Sequence, residues 1–366
     1  MATEAELVGA PPIPALDVER AHRRPANRRA TFRSFVVTFF AVLVIAAFLS
    51  PMLRTVTTAF KSTDQITEAN SPLWPADPGT FTWEGRDFDV YEVPIDGASR
   101  DLALVTKGRQ ESEFIDPANP EAGLITWHGS WRALDRTWEL APKWENFGNV
   151  WEIIDYPRLM FNTIALAIIG TIGTLLSCVV VAYGFARFRF PGRNLLFLLV
   201  LSTIFLPAAV TLIPTYTIFV KLGWVGTWLP LLVPAFFANA YDVFLLRQYF
   251  MTLPRELDDA AKIDGAGPFK VLTAIIIPQS WAVIIAVSVF HLVYTWNLYF
   301  EPLLYLSAKP DLQPIATGLA AFNSIYGSNP ELVQAATLMT IVIPMVIFFA
   351  AQRAFMRGIV ITGVEK

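Results

Sequence analysis

The sequence predicts an all-α polytopic membrane protein of six transmembrane helices, with a small strand-rich outward insert between the first two. Three observations carry that prediction. The chain of 366 residues is 54% hydrophobic and only 16% charged, against about 25% charged in soluble domains. Six apolar windows, near 35–57, 159–183, 194–220, 228–248, 278–306 and 333–353, each meet the roughly twenty residues a helix needs to cross a bilayer. Between the first two lies a long polar stretch punctuated by turn residues and tryptophan.

Residues 1–34 are polar and rich in Pro, Ala and Arg, the composition of a disordered arm. An arginine-rich start before an apolar run is also what a signal peptide shows. Here the run continues through Ala46-Ala47-Phe48-Leu49 to Pro51 without a small-residue cleavage site, so 35–57 is read as an uncleaved first span. The net charge of −3 is unevenly spread: residues 62–143 hold fifteen acids and seven bases, a balance of −8, which leaves +5 elsewhere. Arginines cluster before the first span (Arg20 to Arg33) and in the 187–193 turn. Arg247, Arg255, Lys262 and Lys270 flank the fourth and fifth spans, and Arg353 and Arg357 stand in the tail, 354–366. Lys and Arg mark the cytoplasmic side of short loops. Both termini and the 249–277 loop are therefore expected in the cytoplasm, and the 58–158 connection outside.

In the insert, Phe88-Asp89-Val90 and Tyr91-Glu92-Val93 alternate with the period of a half-buried strand. Gly85, Pro94, Gly97, Pro117, Pro120 and Gly123 punctuate it as turns do. Seven of eleven tryptophans fall between Trp74 and Trp151, enough aromatic bulk for a small core. Residues 62–143 are read as a compact strand-rich domain, the alternative being a loosely ordered loop. Trp144, Trp151 and Tyr156, like Trp224 and Trp228, sit where amphipathic rings favour the headgroup layer. Cys178, the single cysteine, forms no internal disulfide and reads as a small packing residue.

The 249–277 loop is the most informative stretch. Pro254 suits a first helical turn, Glu256, Asp258 and Asp259 suit the N-terminal pole and Lys262 the last turn. Gly265 suits the left-handed stop. A helix over 254–264 follows, with Leu253, Leu257, Ala260 and Ala261 at helical spacing on one side. The two alanines let another protein approach the backbone closely, in the helix-in-groove manner; a helix lying on the membrane surface is the alternative. A second helical stretch, 269–276, leads back to the membrane, with Pro278 opening the fifth span.

Asp259-Ala260-Ala261, Gly265 after three residues, Ile275 after nine more, then Ile277-Pro278 closely resemble the signature of permease subunits of binding-protein-dependent ATP-binding-cassette importers. The family pattern begins with Glu and ends Leu-Pro, so Asp259 and Ile277 depart from it. Ala182-Tyr183-Gly184-Phe185-Ala186-Arg187-Phe188-Arg189-Phe190-Pro191-Gly192-Arg193 resembles the turn after the second span in the sugar-importing branch. Pro207, Ile213-Pro214, Tyr216, Trp296-Asn297, Arg353 and Arg357-Gly358 add further matches. The resemblance covers 34–61 and 144–366 and is nearest to the smaller permease subunit of the maltose-type transporter.

That resemblance implies the six-helix fold of type I importers in a prokaryotic cell membrane. It implies a second permease subunit, two ATPase subunits and an extracytoplasmic solute-binding protein as partners. The ATPase-docking loop would comprise Glu256, Leu257, Asp259, Ala260, Ala261, Asp264, Gly265, Ile275 and Pro278. The chain has no Gly-x-x-x-x-Gly-Lys-Ser/Thr loop, so ATP and Mg are expected on the partner ATPases. No cofactor, metal site or catalytic residue is expected on this chain. Lipids are expected contacts and nucleic acid is not. The implied cargo is a sugar, glycoside or oligosaccharide. A permease for glycerol phosphate or a polyol, a stand-alone secondary transporter, and a membrane-anchored receptor are the competing readings.

Polar residues inside the membrane are the default candidates for a substrate path. Asn297, beside Trp296 and near Tyr299, offers an amide next to aromatic faces; it serves a sugar or ties helices together. Glu301 lines a wet cavity or reaches interfacial water. Asp242 is expected to pair with Arg247 or an arginine of the 187–193 turn. Pro207 and Pro214 break the third span to expose backbone to a ligand or merely kink it. The resemblance implies that the outward 311–331 connection probes the binding protein and helps displace sugar.

Overall fold

The computed structural model describes residues 28–95, 97–323 and 329–360. Most of the expected cytoplasmic arm and the end of the tail lie outside them. The chain divides into two compact units, Met1–Leu53 and Arg54–Lys366. The described part of the first lies on one helix, α1 (Arg28–Ala59), which begins seven residues before the window read from hydropathy. Rising basic content at 28–33 lowers the hydropathy there without opposing helix formation.

Within the second unit the insert opens with α2 (Thr63–Thr67), whose N-terminus Ser62 caps by accepting from the Gln65 amide at 3.2 Å. Eight strands follow: β1 (Ala76–Pro78), β2 (Thr80–Trp83), β3 (Arg86–Ile95), β4 (Ala98–Thr106), β5 (Glu111–Ile115), β6 (Ile125–His128), β7 (Asp135–Arg136) and β8 (Trp138–Leu140). Strands β2 to β6 form an antiparallel meander, β7 joins β3, and β1 pairs with β8. The β2–β3 turn places Glu84 and Gly85 at φ +51° and +77°, the tight hairpin form that matches strand twist. Tyr91, Val93, Leu102, Leu104 and Phe114 make the core of one face, with Trp127 and Trp131 packed on it. Arg136 clasps this sheet to α2, reaching Glu68 at 3.2 Å, Asp89 at 2.9 Å and the Tyr91 hydroxyl at 3.1 Å. The short helix α3 (Glu145–Ile153) then leads into the membrane helices.

Helix α4 (Tyr156–Arg187) is the axis of the bundle. Gly170, Thr174, Cys178, Ala182 and Ala186 recur every fourth residue along its buried side. Small side chains let neighbouring helices approach closely, and a Cβ at Gly173 would meet the Phe236 ring at 2.8 Å. Against it pack α7 (Leu229–Leu232), α8 (Ala240–Thr252) and, through the Phe185–Phe197 ring contact, α5 (Arg193–Ser202), with α6 (Ala208–Lys221) following α5 in the chain. The segment after α8 supplies α9 (Glu256–Ile263), α10 (Pro268–Val271) and α11 (Ile277–Gln279). The remainder is α12 (Trp281–Trp296), α13 (Phe300–Leu306), α14 (Ile315–Gly318) and α15 (Pro330–Val360). Val243, Leu246 and Phe250 of α8 and Ile284 and Val287 of α12 close the core around Cys178, a buried packing residue.

Six uninterrupted spans do not appear among the described residues. Four helices are long and apolar enough to cross a membrane, and two further pairs reach that length only through sharp bends, of 99° and 81°. The first bend lies at Pro207, whose ring fixes extended backbone (φ −62°, ψ 131°) between α5 and α6. Pro214, by contrast, sits inside α6 without ending it. The second bend follows a wide π-type turn, Leu272–Ile276, and falls at Ser280. The straight helix α12 therefore begins at Trp281, three residues after Pro278.

Candidate functional site

Two features of the bundle present chemistry: the loop helix α9 and a cavity among the membrane helices. Helix α9 spans eight residues, shorter at its start than expected, because Pro254 lies two residues outside it and Arg255 precedes its first turn. At its end Gly265 takes φ +79°. The Ala266 amide donates to the Ala261 carbonyl at 2.9 Å and the Gly265 amide to Lys262 at 3.0 Å. That pair of bonds is a Schellman closure, which satisfies carbonyls left over at a helix terminus.

The helix is pinned to the bundle by a buried ion pair. Arg187, at the end of α4, brings its Nε within 3.4 Å of Asp258 Oδ2, the side chains being 4% and 12% exposed. Arg187 Nη1 also donates to the Leu253 carbonyl at 3.2 Å, and the Tyr183 hydroxyl donates to Pro268 at 3.1 Å. Ala261 is buried against Val271, Leu272 and Ile276, with Leu253, Ala266 and Ile275 at the margin of that cluster. The two alanines thus do not share an outward face: Ala260 is exposed and Ala261 is turned inward, one residue being about 100° around a helix from the next. The face open to solvent carries Glu256, Asp259, Ala260, Ile263 and Asp264, with Pro278 also exposed and Leu257 half-buried.

The cavity has a volume of about 580 Å³ and lies among α4, α6, α8, α12 and α13. On one wall Asp242 accepts from Asn239 Nδ2 at 2.7 Å, and its own amide donates to Asn239 Oδ1 at 2.9 Å. Nearby, Thr174 Oγ1 lies 3.3 Å from His291 Nε2. Tyr294 and Glu301 also line it. Glu301 therefore takes the cavity position that its place in the sequence allowed. Asp242 makes no ion pair among the described residues: Arg247 instead stacks over Phe197, 4.0 Å from the ring centre. The helix start at Asn239 supplies the amide partner that an arginine was expected to provide.

None of Trp296, Asn297, Tyr299, Pro207 and Pro214 lines this cavity. Trp296 is buried in a second cluster with Leu159, Ile315 and Leu332. Asn297 ends α12, and its side-chain amide donates to the Val293 carbonyl of the same helix at 2.8 Å. Tyr299 stands exposed between α12 and α13. His291 carries a sequence signal for the cavity, a lone imidazole in an apolar run. Thr174, Asn239 and Tyr294 carry none, since polar groups of that size occur on packed helix faces everywhere. Near the start of α4, Asn162 donates to the Asp311 and Gln313 carbonyls at 2.9 Å each, which ties down the start of the 311–331 connection.

Comparison with known proteins places this geometry among transport proteins. Residues 173–360 match the family model described as binding-protein-dependent transport system inner membrane component. An osmoprotective compounds uptake permease of Synechocystis sp. is 30% identical over 279 residues, covering 75% of this chain and 93% of that protein. An sn-glycerol-3-phosphate transport system permease of Yersinia enterocolitica is 32% identical over 225 residues, 59% of this chain and 79% of that one. Among solved structures, a chain of a bacterial transporter for the acidic polysaccharide alginate superposes with a TM-score of 0.62 at 17% identity, covering 90% of this chain and 98% of its own. At that identity the likeness shows the fold.

Proposed function

Because the chain belongs to the family of inner-membrane components of binding-protein-dependent transport systems, we propose that it is the noncatalytic permease subunit of an ATP-driven importer for a sugar, glycoside or oligosaccharide. Helix α9 is its handle. A separate ATPase subunit seats on the face formed by Glu256, Asp259, Ala260, Ile263 and Asp264, while Gly265 fixes where that face ends. Two such ATPases close around ATP and Mg, and the Arg187–Asp258 pair conveys the displacement to α4. A second permease subunit completes the pathway and an extracytoplasmic binding protein delivers the cargo. Both termini and the 249–277 loop face the cytoplasm.

The observation that carries this reading is the construction of α9. It is a two-turn helix with Asp258 and Ala261 locked to the bundle and its other side, Ile263 included, left exposed. A membrane-surface helix would carry Lys and Arg beside its apolar face, whereas this face carries Glu256, Asp259 and Asp264. The glycerol phosphate relative keeps a non-sugar cargo as the second reading.

A cysteine at Ala260, in the complete complex in proteoliposomes, tests the docking. Cross-linking to the ATPase subunit is expected, together with uptake that requires both ATP and the binding protein. Solute accumulation by this chain alone, driven by an ion gradient, would overturn the proposal in favour of a secondary carrier.

A further inference from the structure

We infer that the membrane cavity is a subsite, contributed by this subunit, for a neutral polyhydroxylated solute, with Asp242, Asn239, His291 and Thr174 as its recognition wall. The inference rests on the importer reading and adds to it the charge class of the cargo.

The cavity volume of about 580 Å³ falls within the roughly 300–1,000 Å³ typical of small-molecule sites. Its wall holds buried polar groups: Asp242 is 5% exposed and Thr174 2%. Such groups are costly in an apolar interior unless they have hydrogen-bond partners. Asn239 occupies only one carboxylate oxygen, Oδ2, and steadies the group from the backbone side. Oδ1 has no hydrogen bond among the described residues and is an acceptor for a hydroxyl. The Thr174 hydroxyl and the His291 ring, 3.3 Å apart, add groups that both donate and accept. Tyr241, Tyr294 and Phe237 bring aromatic faces to the same space, which suit the C–H surface of a sugar ring.

The sign of the charge decides the class. Asp242 and Glu301 line the cavity, and among the described residues no Lys or Arg does. A phosphate or carboxylate cargo would need cationic partners, Arg above all, and would face two carboxylates instead. This subunit therefore differs in cargo class from an importer of glycerol phosphate or of an acidic polysaccharide. A cation is compatible with the charge, but the wall alternates donors and acceptors around a carboxylate already shared with an amide, which fits hydroxyl groups.

The test uses the complete complex with its binding protein in proteoliposomes. It is given an equimolar mixture of labelled maltose, sucrose and trehalose with sn-glycerol 3-phosphate, galacturonate and choline. Accumulation of a neutral sugar at least about tenfold above any charged solute is expected. Accumulation of a charged solute to an equal or greater extent overturns the inference alone. Absence of ATP-dependent uptake of every solute removes the importer reading and the inference with it. For the sugar that accumulates, Asp242→Asn and His291→Gln are each expected to raise KM about tenfold, the effect of one lost charge-assisted or buried hydrogen bond. Thr174→Val, which preserves shape, serves if either variant fails to assemble. A KM unchanged in every assembled variant overturns the assignment of the wall.

Discussion

Removing Arg187 tests how α9 is held. Arg187→Met would leave the Asp258 carboxylate buried without its cation, where both side chains are nearly sealed, at 4% and 12% exposure. Breaking such a pair from one side costs about 3–5 kcal/mol. The lower end applies here, because the 3.4 Å contact is an ion pair with no hydrogen bond at Arg187 Nε or Nη2 or at Asp258 Oδ1. Helix α9 has eight residues, short of the roughly 12–15 at which an isolated helix becomes even marginal, so the loss falls on its docking. About 3 kcal/mol corresponds to roughly a hundredfold increase in the undocked population. Hydrogen exchange of the 256–266 amides in the assembled complex is expected to accelerate by about that factor, with ATP-driven uptake falling in parallel. The double variant Arg187→Met, Asp258→Leu removes both charges, and such replacements are often neutral. Its exchange is expected to return to within about tenfold of the parent, a coupling energy above about 1.5 kcal/mol in the double-mutant cycle. Parent-like exchange in the single variant, or a double variant no better than the single, would refute the argument.

At Gly265 nothing lies within 4 Å of an added Cβ, yet φ is +79°, so the cost of a side chain is conformational, about 1–2 kcal/mol. Uptake is expected to fall in the order Gly, Asn, Ala, Val, and an Asn variant as poor as Val would show that space matters instead. Arg136→Met removes two ion pairs and the bond to Tyr91 from a side chain 20% exposed. A loss of about 1–3 kcal/mol is expected to open the insert to limited proteolysis while the membrane helices stay intact; unchanged digestion would contradict it. Lys143 bonds Asp77 at 2.6 Å, and that hydrogen bond raises its pKa above the ordinary lysine value, against the opposing effect of burial. A raised base stabilises the fold fully below its unfolded pKa and loses that contribution as pH climbs through the folded one. Protease resistance at the β1 end of the insert is therefore expected to drop only at strongly alkaline pH, and Lys143→Met should abolish that alkaline step.

Much of the architecture was legible because it is local. Long apolar runs set the spans, and the alternation at 88–93 together with the Gly85 turn marked the insert's strands. The charges from Glu256 to Lys262 and the glycine after them marked α9 almost to the residue. The bends were only half legible: Pro207 announces one, whereas Pro278 reads as the opening of a span and not as a bend at Ser280, since a π-type turn has no composition of its own. The direction of side chains was the weakest point. Ala260 and Ala261 look alike in sequence, and their separation into outward and inward positions depends on what α4 and α10 place beneath α9.

The cavity shows the same division more sharply. Sequence alone determined that this chain spans a membrane and carries a short stopped helix between two of its apolar runs, because hydropathy and backbone preference act over a few neighbouring residues. Only the tertiary structure decided that Thr174, Asn239, Asp242 and His291 meet, while Trp296 and Asn297 turn away. In a membrane both the lipid-facing and the protein-facing sides of a helix are apolar, so periodicity does not tell them apart. Which side faces a cavity is settled by helices more than a hundred residues apart in the chain.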